Sequence, residues 1–160
     1  MYRDKNAAIA ALEAEREAAE QTGHPIINRF DGEYRFLSNF YEAPVTYHGV
    51  TYRNNEAAFQ AQKCPEKAHE FADMSAAEAK RAGRHVPLRP DWERVKINIM
   101  HDIVFEKFLR NPELKDKLLA TDGYSLVEGN HWGDRFWGRC NGTGENHLGQ
   151  ILMLVREELV

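Results

Sequence analysis

Apolar residues recur at helical spacing in three stretches. Leu148, Ile151, Leu152, Val155 and Leu159 form one stripe, the mark of a core-facing amphipathic helix at the end of the chain, with Asn146 as its expected cap. Trp92, Val95, Ile99 and Ile103 repeat likewise and predict a long helix over 92–109, with Asp91 able to cap it. Asn111-Pro112 opens a further helix carrying Leu114, Leu118 and Leu119, with proline at its first position. Residues 6–21 are rich in Ala and Glu, but only Ile9 and Leu12 are strong apolar anchors, which predicts an outer helix ending at Gly23. Asn54 or Asn55 can cap a helix reaching about Lys63, and Pro65 helps to end it. Ser75-Ala76-Ala77-Glu78 reads as a capping box with Gly83 as the stop.

The remaining apolar runs are short, and β-branched or aromatic. Ile26–Phe30 and Tyr124–Val127 are strand candidates. Val45-Thr46-Tyr47 and Val50-Thr51-Tyr52 flank His48-Gly49, which predicts a hairpin. Phe36–Tyr41 is apolar and aromatic without a period, and residues 129–146 form a long glycine-rich loop. Strands do not alternate regularly with helices. The expected class is therefore α+β, a mainly helical single domain with a small β-sheet, and not a doubly wound sheet.

Composition narrows the function classes. The chain has 160 residues, 42% hydrophobic and 29% charged, which suits one soluble globular domain. No apolar run approaches the roughly 18 residues of a membrane helix, and the first residues lack a signal-peptide stretch. Cys64 and Cys140 lie far apart and read as free thiols, so a cytoplasmic location and no membrane partner are expected. The net charge of −4 argues against a protein that coats nucleic acid. Acids gather in the first twenty residues and at the end, whereas 66–120 is rich in Lys and Arg.

Three segments carry candidate chemistry. Glu56, Gln60 and Lys63 fall on one helix face, a carboxylate and an amine side by side. Such a lysine is a nucleophile only if its pKa is depressed; otherwise the face is simply solvated. The loop from Trp132 to Asn146 offers glycines ahead of a helix N-terminus for a phosphate, and Trp132, Phe136 and Trp137 for a base. It reads equally as an Ω-loop pinned by its own aromatics. The basic run from Lys80 to Arg89 supplies either phosphate-binding guanidiniums or a solvated helix end. The seven histidines show no metal-binding spacing, so no metal and no cofactor is expected.

Several blocks, in order, resemble the NADAR family, also called YbiA-like. They are Phe36-Leu37-Ser38-Asn39-Phe40, the run Glu56–Lys63, Ala82-Gly83-Arg84, the run Pro87–Trp92, Leu126-Val127-Glu128, Asp134-Arg135-Phe136-Trp137-Gly138 and the run Gly144–Gly149. Leu152-Met153 and Arg156 continue them. The resemblance divides the chain into a helical extension, 1–25, and a YbiA-like domain, 26–160. It implies an N-glycosidase that cuts between a ribose C1 and an amine nitrogen. The implied partners are an ADP-ribosyl or phosphoribosyl substrate: phosphorylated ribosylamino-pyrimidine intermediates of riboflavin synthesis, or ADP-ribose on guanine in nucleic acid.

It also implies that Lys63 is the catalytic lysine. Glu56 joins it as a catalytic residue, and either Glu56 or Glu128 can serve the proton transfers. Asn39, Arg84, Glu128, Asp134, Trp137 and Asn146 are carried over as substrate-binding residues. A neutral lysine can attack an opened ribosylamine and leave a Schiff base. A lysine-free route through an oxocarbenium ion and carboxylates stays open. So do a non-catalytic module that binds ADP-ribose or NAD, and a partner-binding protein. Glu56, Lys63, Asp134 and Trp137 are expected to meet in one cleft. Phosphates are expected to be held by Arg84 and Arg89 or by the Gly142–Asn146 helix entrance.

Overall fold

A computed structural model describes residues 4–160. The chain forms two compact units. The flanking unit joins the chain up to Ser38 with Leu118–Val160, and the central unit is Asn39–Lys117. The class is α+β, as the patterning predicts. The expected small sheet is three separate two-stranded pairs among the described residues.

In the central unit, β2 (Glu42–Tyr47) and β3 (Val50–Asn54) pair antiparallel, with Val45 opposite Tyr52 and Tyr47 opposite Val50. His48 and Gly49 both take positive φ, 47° and 82°, the turn that matches the twist of a hairpin. β3 runs directly into α2 (Asn55–Ala61), where the Asn54 side chain accepts from Ala57 N at 2.8 Å. Every residue of α2 is buried. The helix stops at Ala61, two residues short of the expected end. The Lys63 amide turns back onto the Gln60 carbonyl at 3.1 Å, a tightened last turn.

A 3₁₀ segment, Pro65–Phe71, leads to α3 (Ala76–Ala82), whose Ser75–Glu78 capping box forms as predicted. α4 (Trp92–Arg110) lays Met100, Ile103, Val104 and Phe108 into the core. Asp91 stands at its N-cap position but does not cap: its carboxylate holds Arg89 instead, at 2.6 and 3.0 Å. α5 (Pro112–Leu119) crosses the boundary between the units.

In the flanking unit, α1 (Lys5–Gln21) buries only Ala8, as its sparse apolar pattern implies. Asn28 ties it down, its amide donating to the Leu12 carbonyl at 2.8 Å and the Glu15 carboxylate at 3.0 Å. The strand expected over 26–30 is only β1 (Ile26–Ile27), paired parallel with β4 (Ser125–Leu126). Gly32–Leu37 is a 3₁₀ turn. The long loop contains a second parallel pair, β5 (Gly129–Asn130) with β6 (Arg139–Cys140). α6 (His147–Glu158) buries the predicted stripe, and the Arg156 guanidinium braces it on the Thr121 and Tyr124 carbonyls. Among the described residues, no helix is long and apolar enough to cross a membrane.

Candidate functional site

The sequence-selected residues fall into two groups, one in each unit. In the central unit, Lys63 sits half-buried on the turn that ends α2. Burial pushes its pKa below the ordinary lysine value. The Glu56 carboxylate opposes that shift, while the positive charges of Arg84 and Lys96 add to it. Its ammonium nitrogen lies 5.9 Å from the Trp92 ring centroid, and Phe59 packs on the same ring at 5.0 Å. Glu56 is buried, with its carboxylate accepting from the Gln60 amide at 2.9 Å. Its own amide donates to the Asn39 carbonyl at 3.0 Å, which ties the end of the Phe36–Phe40 block to the start of α2. The Asn39 side chain donates to Met100 Sδ at 3.4 Å.

The two arginines expected to hold phosphate differ. Arg84 is exposed just beyond α3. Arg89 is engaged within the chain: its guanidinium forks onto Asp91, and its backbone amide donates to the Lys63 carbonyl at 3.0 Å. Arg89 therefore braces the turn that carries Lys63, and of the two only Arg84 presents an exposed guanidinium.

In the flanking unit, Asn130 is buried and organises the loop. Its amide donates to Glu128 Oε2 at 3.0 Å and to the Asp134 carbonyl at 2.9 Å, while its oxygen accepts from Asp134 N. Asp134 Oδ1 in turn accepts from the backbone of Phe136 and Trp137, at 3.1 and 2.9 Å, and so sets the path of the chain at Trp137. Trp137 is half-buried and stands edge-on to Phe136, with His147 beside both rings. Trp132 is 54% exposed and packs only on His131 among the ring contacts described. Gly138 is fixed by space, since a Cβ there would overlap Glu128.

Asn146 is buried in the left-handed conformation, φ 54°. Its oxygen accepts from Glu128 N and its amide donates to the Leu126 carbonyl, both at 3.0 Å. It thus clasps loop to strand and does not cap α6 by its side chain. The amides of Glu145, Asn146, His147 and Leu148 are all directed to carbonyls of Arg135–Gly138. These four amides at the helix entrance are therefore taken by the loop itself.

The NADAR domain profile matches residues 27–160. The chain belongs to the NADAR family. It is 40% identical over 134 residues to the N-glycosidase YbiA of Escherichia coli K12, covering 79% of this chain and 82% of that protein. A riboflavin biosynthesis protein of Vibrio vulnificus is 42% identical over 137 residues; the match spans 81% of this chain but only 36% of that longer protein. The NMR structure of E. coli YbiA superposes with a TM-score of 0.76 at 37% identity, covering 88% of this chain and 90% of that one.

Helix-face spacing singled out Glu56 and Lys63 as neighbours, and the family resemblance supplied the roles expected of them. Sequence reasoning missed Lys96 and Asn130. Lys96 lies four residues after Trp92 in the basic stretch, a readable signal. Asn130 carries none, because its importance comes from burial alone.

Proposed function

We propose that this NADAR-family N-glycosidase cleaves the bond between a ribose C1 and an amine nitrogen through Lys63. The observation that carries the reading is the setting of Lys63: half-buried, its amine biased toward the neutral form, beside a buried carboxylate and two further cations. A neutral amine is the nucleophile that this chemistry needs.

The reaction balances without a co-reactant other than water. The ribose ring opens as its oxygen takes a proton, leaving a C1–nitrogen iminium. The Lys63 amine attacks C1, and a proton passes from it to the departing nitrogen. The base leaves as a free amine, and C1 remains joined to Lys63 as a Schiff base. Water adds to C1, the C1–lysine bond breaks, and the aldehyde recloses to ribose. Glu56, buried and close enough to bias Lys63 electrostatically, serves the proton transfers.

Arg84 meets the phosphate of the substrate. Asn39, Glu128, Asp134, Trp137 and Asn146 belong to the binding set on the family motif. Within it the hydrogen bonds of Asp134 and Asn146 suit a supporting role for the Trp137 loop.

The relative named for riboflavin biosynthesis makes a phosphorylated ribosylamino-pyrimidine the first substrate to test. ADP-ribose on guanine offers the same C1–N bond and is the second arm. Incubating the protein with each, and reading released ribose phosphate or ADP-ribose by chromatography, is expected to give turnover of at least one. Release from neither would overturn the assignment.

A further inference from the structure

We infer that Gln60 is a positioning residue that holds Glu56 as an oriented carboxylate, and that Gly83 is glycine so that Gln60 can do so. The inference deepens the reading of Lys63 and Glu56 given above and rests on it for its catalytic meaning. Three observations carry it. First, Gln60 is 93% buried one helical turn beyond Glu56, and its amide nitrogen donates to Glu56 Oε1 at 2.9 Å. Second, the opposite end of the same amide, Oε1, is buried with no hydrogen-bond partner. Third, a Cβ built at Gly83 would overlap that oxygen.

The geometry is selective for one orientation and one charge state. Turning the Gln60 amide over would face its carbonyl with the Glu56 carboxylate, acceptor against acceptor. The amide therefore points its donor at Glu56 and leaves its carbonyl on the Gly83 Cα, a weak C–H contact at best. A buried amide with one empty end is rare and calls for a reason. Here the reason is the donor end: a hydrogen bond to an ionised carboxylate is stronger than one to a neutral acid, so Gln60 favours the anion.

Gly83 fits no other explanation. Its φ of −62° is open to any residue, so it is not needed for the left-handed cap that its sequence position suggests. It is needed for close approach. Glu56 of this pair acts electrostatically on Lys63, on the turn after α2, and Arg84 beyond α3 and Lys96 on α4 act on the same lysine.

The test follows the Glu56 carboxyl directly, by carbon NMR on protein labelled at the glutamate carboxyl, and so does not depend on the substrate. In the unaltered protein the Gln60 side-chain amide signal is expected to move with the same midpoint as Glu56. In Gln60→Met, which keeps the length and removes the donor, the Glu56 midpoint is expected to rise by about one pH unit. Gly83→Ala, which pushes the amide off Glu56, is expected to move it in the same direction. The acid limb of kcat/KM should move with it, more through kcat than KM. A merely structural Gln60 would lower thermal stability and leave the midpoint in place. An unchanged Glu56 midpoint in both variants, or a Gln60 signal indifferent to Glu56 in the unaltered protein, overturns the proposal. Should the midpoint shift as stated while borohydride traps no sugar on Lys63, the lysine mechanism falls and the Gln60 assignment stands. A trapped adduct with no midpoint shift leaves the lysine mechanism standing and overturns the Gln60 assignment.

Discussion

Burial acts on two lysines of the central unit, and their surroundings give it different consequences. Lys63 is half-buried, with Glu56 restoring some of its affinity for a proton and Arg84 and Lys96 reducing it. Lys107 is fully buried in α4 between the Tyr41 and Phe108 rings, 5.6 and 5.1 Å from their centroids, and burial lowers its pKa to about 7. Because the folded pKa lies below the unfolded value, the unfolded chain binds the proton more readily between the two. Stability from this group therefore rises as pH climbs from about 7 toward the ordinary lysine range, and is lowest below 7. Relative to the parent, Lys107→Met is expected to gain a few kcal/mol of stability as pH falls from about 10 to about 6, because the parent alone carries the buried titration. Thermal unfolding of both proteins across that range reads the difference; a gap that does not change with pH would contradict it. None of this was legible at Lys107, which stands among Ile103, Val104 and Phe108 but has the sequence appearance of a solvated position. Glu56 and Lys63 were legible because helix spacing alone puts them on one face; what spacing cannot supply is the burial that lowers the lysine pKa.

At the scale of elements, the long periodic stripes of α4 and α6 are where sequence and structure agree best, since each stripe buries many residues and tertiary packing reinforces it. The two-residue strands β1, β4, β5 and β6 are too short to show a period, so the loop 129–146 hid its own parallel pair. Caps were half legible. Asn54 and Ser75 cap as their positions suggest, while Asp91 and Asn146 use their side chains elsewhere because a stronger partner competes: the Arg89 fork for one, two buried backbone groups for the other. That competition gives Asn146 a structural weight. Asn146→Ala removes the side-chain hydrogen bonds made to Leu126 O and Glu128 N, and removes a residue suited to positive φ. It is expected to destabilise the protein by at least about 2 kcal/mol, read by denaturant unfolding. A variant as stable as the parent would show that the clasp is dispensable.

For the molecule as a whole, the family match begins at residue 27, so α1 lies ahead of it, yet Asn28 within the match reaches back to hold that helix. The expectation of an α+β chain came from counting helical stripes against short strands, and it holds because most of the core is helical. The division into two compact units was not legible, because no Gly/Ser linker or change in composition marks Ser38 or Leu118. The central claim is that one side chain of this protein bonds to sugar carbon during turnover. The most direct measurement is borohydride reduction during reaction with the ribosylamino-pyrimidine phosphate or the guanine ADP-ribose conjugate, followed by mass spectrometry of the peptides. The expected result is a reduced sugar adduct on Lys63, no adduct in Lys63→Ala, and turnover abolished in both Lys63→Ala and Lys63→Arg, since a guanidinium stays charged. Full turnover by Lys63→Ala would contradict it.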